Sequence, residues 1–168
     1  MEVFDCVSTL SSIRSYIDKE VPEEVIMEVL EAGRLAPSAH NDQPWQFILI
    51  RDKSKLKEMK KYCLSGSFIS QVDFAVVVVT YPASKWHEID STRAVQNMAL
   101  TAWSHKLGTC WIGRLEEKSL KNYLNIPDKL NILTVLPFGY FDERLTNSVK
   151  FRKDPEQVFH LNSYGNSL

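Results

Sequence analysis

Apolar and polar positions follow two distinct periods along this chain, and the periods mark out its elements. Val25, Ile26, Val29, Leu30 and Gly33 recur at helical spacing, with Glu23, Glu24, Glu28 and Glu31 largely on the other face. Pro22 in the first turn, acids at the start and Arg34 at the end suit the helix dipole, so a helix is expected from Pro22 to Arg34. Ala94, Val95, Met98, Ala99, Ala102 and Trp103 give a broader apolar face to a longer helix, Ser91 to Leu107. Asp90 is placed to cap it, and Gly108 stands in the usual C-terminal glycine position. Phe74 to Thr80, FAVVVVT, is a continuous β-branched run and reads as a strand buried on both faces. Gln46 to Ile50 and Asn131 to Tyr140 are further strands. Short helices are expected over residues 4–10 and Glu116 to Leu124, and a basic surface helix over Lys55 to Leu64. The section from Arg144 onward is polar and aperiodic, but Phe151, Phe159 and Tyr164 argue against disorder.

These elements fill 168 residues, enough for one domain with a sizeable core. A formal net charge of −1 argues against nucleic acid or an anionic membrane as the main partner. The longest wholly apolar run, Phe74 to Val79, is too short to span a bilayer. The start, MEVFDC, has no basic region followed by an apolar stretch, so no signal peptide is expected. Cys6, Cys63 and Cys110 are odd in number and lack a CxxC pair, which suits a reducing cytoplasm. The four histidines lack metal-ligand spacing with them, so no structural metal is expected.

Three stretches carry the candidate chemistry. PSAHNDQPW, Pro37 to Trp45, is an extended polar connection whose prolines fix φ and whose Ser38, Asn41 and Gln43 offer donors and acceptors. An ordinary loop pinned by a buried Trp45 fits the same residues. LSSIR, Leu10 to Arg14, sets two hydroxyls and a planar guanidinium just after a short helix, suited to an anion; on residue types alone a serine-rich turn with a surface arginine is the commoner reading. DSTRAVQNMALTAWSHKLGTCWIGRL, Asp90 to Leu115, reads on its own as a core helix, a glycine cap and a short strand.

Together these stretches resemble the nitroreductase family of FMN-dependent oxidoreductases. PSAHNDQPW resembles its P-S-x-x-N-x-Q-P-W loop, and Ser12 and Arg14 match its R-R-S-x-R motif, with Leu10 and Ser11 where two arginines usually stand. Asp90, Ala94, Gln96, Asn97, Leu100, Ala102, Gly108, Trp111, Ile112 and Gly113 fall in register with the long helix and the W-I-G-G segment. Ile126 to Tyr140, and Lys150 and Arg152 in the terminal segment, are also family-like.

The resemblance implies an α+β sandwich, a mixed β-sheet flanked by helices, in an intertwined homodimer. Residues 1–168 would form one FMN-binding domain, with 144–168 an arm packing on the partner subunit. Ser11, Ser12, Arg14, Lys150 and Arg152 would hold the phosphate and flavin edge, and Pro37, Ser38, Ala39 and Asn41 would meet the cofactor from the other subunit. Gly113 would offer its N–H toward flavin N5, with Arg114, in place of a second glycine, either crowding the ring or attracting an anionic partner. The implied activity passes electrons from NADH or NADPH to nitroaromatic, quinone or similar small-molecule acceptors. A flavin-binding or sensory protein with little turnover is the alternative. A dehalogenase or flavin-fragmenting enzyme is a third reading, less suited to so short a chain. A short connection between Tyr81 and the Asp90 helix implies a comparatively open substrate face.

Overall fold

The computed structural model describes residues 1–146 and 150–168; residues 147–149, inside the expected arm, lie outside the described residues. Four strands make one sheet in the order β1-β2-β4-β3: β1 Trp45–Ile50, β2 Phe74–Thr80, β3 Leu107–Thr109 and β4 Asn131–Tyr140. All three ladders are antiparallel. Parallel pairing, expected for a mixed sheet, is confined to an isolated bridge between Ser12 and Thr109. Every residue of β2 is buried, as its β-branched run requires. The two-residue period of the strand divides its side chains between two cores. Phe74, Val76 and Val78 pack with α2 (Glu23–Arg34) and α4 (His87–Ser104). Ala75, Val77 and Val79 pack on the other face with α3 (Lys53–Met59) and α5 (Glu117–Leu124). α1 (Val3–Thr9) is amphipathic only in part: Cys6 is buried, while Val3, Phe4 and Val7 are exposed.

Three boundaries differ from those expected. α4 begins at His87, so Asp90 lies within its first turn and not at its cap; its carboxylate is committed elsewhere. α4 ends at Ser104, and Lys106 turns the chain at φ 61° so that Leu107 can pair with Tyr140. Gly108 is therefore a strand residue, and it has no positive φ; a Cβ there would come within 2.6 Å of Ile13. α3 is shorter than expected and starts under Asp52, whose carboxylate accepts the Ser54 and Lys55 N–H groups at 2.7 and 3.0 Å.

The small residues of α4 do admit a close neighbour, but it is α2 of the same chain. A Cβ on Gly33 would fall within 2.2 Å of Met98, and Asn97 Nδ2 donates to the Ala32 carbonyl at 3.1 Å. Ala94, Val95, Met98, Ala99, Ala102 and Trp103 are all buried within one subunit. The apolar face of α4 is thus not spare surface for a partner. Spare apolar surface lies instead on α1, at Met27 and Leu35, and along the arm, where Phe151 and Tyr164 are 90% and 93% exposed.

Candidate functional site

The sequence-predicted site residues fall into two groups at opposite edges of the sheet. The first forms beyond β3. Ile13 N–H donates to the Thr109 carbonyl at 2.9 Å, which lays Ser12 and Ile13 alongside β3 as a further short rung. Buried Ile13 anchors this rung, and the Tyr16 hydroxyl donates to its carbonyl at 2.8 Å. Burial pushes the Tyr16 phenol far above its ordinary range, with Cys110 adding to the rise, so this hydroxyl stays a donor. Ser12 and Arg14 are left exposed, and Arg14 makes no ion pair among the described residues. Ser11 is half-buried and donates to the Thr9 carbonyl at 3.1 Å, so its proton is already engaged. Leu10 packs against the core.

The arm returns to the same edge. Lys150 Nζ donates to the Val7 carbonyl of α1 at 3.4 Å. Desolvation, and then the neighbouring Arg152 charge, hold the Lys150 ammonium below the ordinary lysine range. Two like charges held near each other favour an anion between them. The Thr109 hydroxyl, on the residue bridged to Ser12, is buried and has no hydrogen-bond partner among the described residues. Gly113 follows the bridge of Ile112 to Val135 and is exposed. A Cβ on it would lie 3.2 Å from Trp111 Nε1, so the absent side chain leaves room for the indole edge. Arg114 is exposed; its carbonyl accepts Leu64 N–H at 2.9 Å and its N–H reaches Ser65 Oγ at 3.4 Å.

The second group is the Pro37–Asn41 edge, which precedes β1. Here the backbone is wound tightly: His40, Asn41 and Gln43 all have positive φ, at 53°, 59° and 48°. Non-glycine residues seldom hold that region, so the turn is strained and must be held by its contacts. Ser38 Oγ accepts Gln43 N–H at 3.0 Å, and Gln43 Nε2 donates to the Asn41 carbonyl at 3.2 Å. Buried Trp45 and Pro44 anchor the far end, as the pattern predicts. Ala39 N–H donates to the Asp90 carboxylate at 3.0 Å. Pro37 and Asn41 stay exposed. A cleft of about 460 Å³ opens on the flank of this loop, between Asp42, Trp45, Thr80 and Tyr81, and contains none of the sequence-predicted site residues.

Between the two groups lie β2, β4 and β3. From β1 to the Ser12 rung there are four inter-strand steps, about 19 Å at the usual ~4.8 Å spacing. Among the described residues, no hydrogen bond joins the Ser38–Asn41 loop to Ser12, Arg14 or Gly113. Sequence reasoning missed Asp90, Thr109 and Tyr16 as supports of these groups. Asp90 stood out as a helix cap and as part of the long-helix pattern, not as a support of the loop, and an unpartnered threonine hydroxyl has no signature in a sequence.

Residues 10–87 and 78–140 match the Nitroreductase family. The chain belongs to the nitroreductase family. It is 33% identical over 168 residues to an Archaeoglobus fulgidus protein named as an NADH dehydrogenase/NAD(P)H nitroreductase, covering 94% of this chain and 96% of that one. A crystal structure of a Bacteroides thetaiotaomicron protein given the same name superposes with a TM-score of 0.86 at 30% identity, covering 96% and 98% of the two chains. An FMN-dependent nitroreductase of Clostridium difficile superposes with a TM-score of 0.83 at 26% identity, covering 96% and 99%. The family match stops at residue 140, so it does not reach the arm that carries Lys150 and Arg152. Among the described residues, no helix of this nitroreductase-family protein is long and apolar enough to cross a membrane.

Proposed function

We propose that this protein is an FMN-dependent oxidoreductase that passes electrons from NADH or NADPH to an electron-poor acceptor such as a nitroaromatic or quinone, with each site built from two copies of the chain. The observation that carries this is the division of the candidate residues: a cationic, hydroxyl-bearing group beside β3 and a strained polar loop before β1, at opposite edges of the four-stranded sheet. Each is half of a site, and a second copy supplies the other half. Bound FMN would contribute the two-electron transfer that the protein's own side chains lack.

The chain's residues would do the rest. Arg14 presents a planar fork to the phosphate or to the pyrimidine edge, where a fixed cation favours developing negative charge. Ser12 adds a hydroxyl, and Lys150 and Arg152 close over the phosphate from the arm. Gly113, exposed and without a side chain, would offer its backbone N–H to the edge of a flat ring. Ser38 and Asn41 of the second copy complete the enclosure. The exposed apolar groups of α1 and the arm support the dimer, since a patch of this kind on a monomer is costly. Obligate interfaces bury on the order of 2,000–5,000 Å².

A flavin-binding protein with little turnover is the second reading. It is favoured by Leu10, which is tied into the core, and by Ser11, whose proton is already donated. Anaerobic titration of the purified, flavin-loaded protein with NADH and NADPH separates the two. Rapid bleaching of the flavin, followed by recovery with a nitroaromatic or quinone, supports the oxidoreductase. Tight flavin binding without bleaching supports the alternative.

A further inference from the structure

Asp90 is the least exposed carboxylate among the described residues, at 1%, and it sits inside the first turn of α4. Burying a charged carboxylate is costly unless its acceptors are used. Two groups use them. Ala39 N–H donates at 3.0 Å, and Arg93 Nη1 lies 3.5 Å away as a partly exposed ion partner. The positive end of the α4 dipole also favours the charge. Ala39 opens the turn that contains His40, Asn41 and Gln43, all at positive φ. The turn's other side-chain hydrogen bonds run within itself or to Ser84, in the exposed connection before α4. The Asp90 bond is the one that ties the turn to a helix of the core.

We propose that Asp90 is a positioning residue: its carboxylate latches the strained 38–43 turn to α4 and so presents Ser38 and Asn41 to the cofactor of the neighbouring subunit. The latch works because a strained turn has a relaxed alternative. Without the Ala39 bond, the backbone at His40 and Asn41 falls back to negative φ, and the two side chains leave their presenting positions. This inference rests on the shared FMN site proposed above, and its test has one arm that needs no flavin.

The test compares the parent protein with Asp90→Ala, Asp90→Asn, and Asp90→Ala combined with His40→Gly. Amide hydrogen exchange is read on the flavin-free proteins, and FMN affinity by equilibrium titration. Asp90→Ala is expected to speed exchange in the peptide spanning 37–43 while α4 and β2 keep their protection. It is also expected to weaken FMN binding by about tenfold or more, as loss of a charge-assisted bond implies. Asp90→Asn keeps an acceptor oxygen and is expected to restore most of both. His40→Gly in the Asp90→Ala background is expected to recover part of the affinity, because glycine holds positive φ without a Cβ penalty. A purely structural role would not be relieved by a glycine in the loop.

Should Asp90→Ala not fold, Ala39→Pro deletes the same bond from the donor side. Ser38 lies at φ −135° and ψ 153°, the extended region a following proline needs, and the same faster exchange is expected. Unchanged exchange at 37–43 in whichever variant folds overturns the latch. So does loosening spread evenly over α4 and β2. Failure of the parent protein to bind FMN would refute the functional reading, while the exchange arm still judges Asp90.

Discussion

The two halves of the candidate site hold their shapes in opposite ways. The 37–43 turn is over-determined: three residues at positive φ are fixed by Ser38, Gln43 and the buried Asp90. The Ser12–Arg14 and Lys150–Arg152 half is under-determined. Its cations are exposed or partly exposed, Lys150 is held down by desolvation and then by Arg152, and Arg14 has no counter-ion among the described residues. A rigid half can set where a ring lies without meeting its charge. A loose cationic half gains order when an anion arrives. The difference implies that loop substitutions act through backbone shape, and patch substitutions through charge.

The largest effect is expected on the charged side. Arg14→Ala removes the planar cation and should weaken FMN binding by roughly 1.5–3 kcal/mol, about ten- to a hundredfold, read by flavin titration. Arg152→Ala is expected to weaken it in the same direction, by less, since Lys150 remains. Unchanged affinity in either variant removes that residue from the clamp.

Next comes the loop. Gln43→Val places a β-branched residue at φ 48° and is expected to cost about 1–3 kcal/mol of stability, measured by denaturant unfolding. A neutral result would mean that the turn relaxes freely and is not over-determined.

A pH series separates the halves further. Lys150 binds an anion while protonated, and its ammonium is held below the ordinary lysine range by desolvation and Arg152. FMN affinity should therefore be retained at neutral pH and fall as pH rises through that depressed pKa, sooner than for an unperturbed lysine. Arg152→Ala should move the fall to higher pH. A profile unaffected by Arg152→Ala would contradict the pairing.

The smallest effect concerns Arg114. Its exposed side chain is expected to assist anionic partners weakly, so Arg114→Gly should lower turnover with them alone, and added salt should erase the difference. Identical kinetics with NADPH, NADH and several acceptors would leave Arg114 without an electrostatic role.

Much of this was legible where local pattern and tertiary demand coincide. FAVVVVT and NILTVLPFGY lie in strands with the expected bounds because a run buried on both faces has no other period to satisfy. The helix expected from Pro22 starts at Glu23 and ends at Arg34, with Pro22 at its cap. Gly108 misled because a glycine after a helix usually ends it, whereas here it clears space for Ile13 beside β3. The broad apolar face read on α4 is covered by α2 of the same chain, a pairing that no local pattern announces. The strain at His40, Asn41 and Gln43 was not legible, because none is a glycine and one of the bonds that hold the turn reaches Asp90, far away in sequence. Residue types were legible in the motifs, but their placement at opposite edges of the sheet was not.

The central claim is that one site needs two chains. Subunits carrying Arg14→Ala and subunits carrying Ser38→Ala with Asn41→Ala, each with its own affinity tag, can be unfolded together, refolded, and the doubly tagged dimers isolated. The account expects each mixed dimer to keep one site with both halves intact, so its FMN content and NAD(P)H-dependent acceptor reduction should exceed those of either parent variant. Mixed dimers no more active and no richer in flavin than the variants alone, or a flavin-loaded active monomer by light scattering at low micromolar concentration, would contradict it.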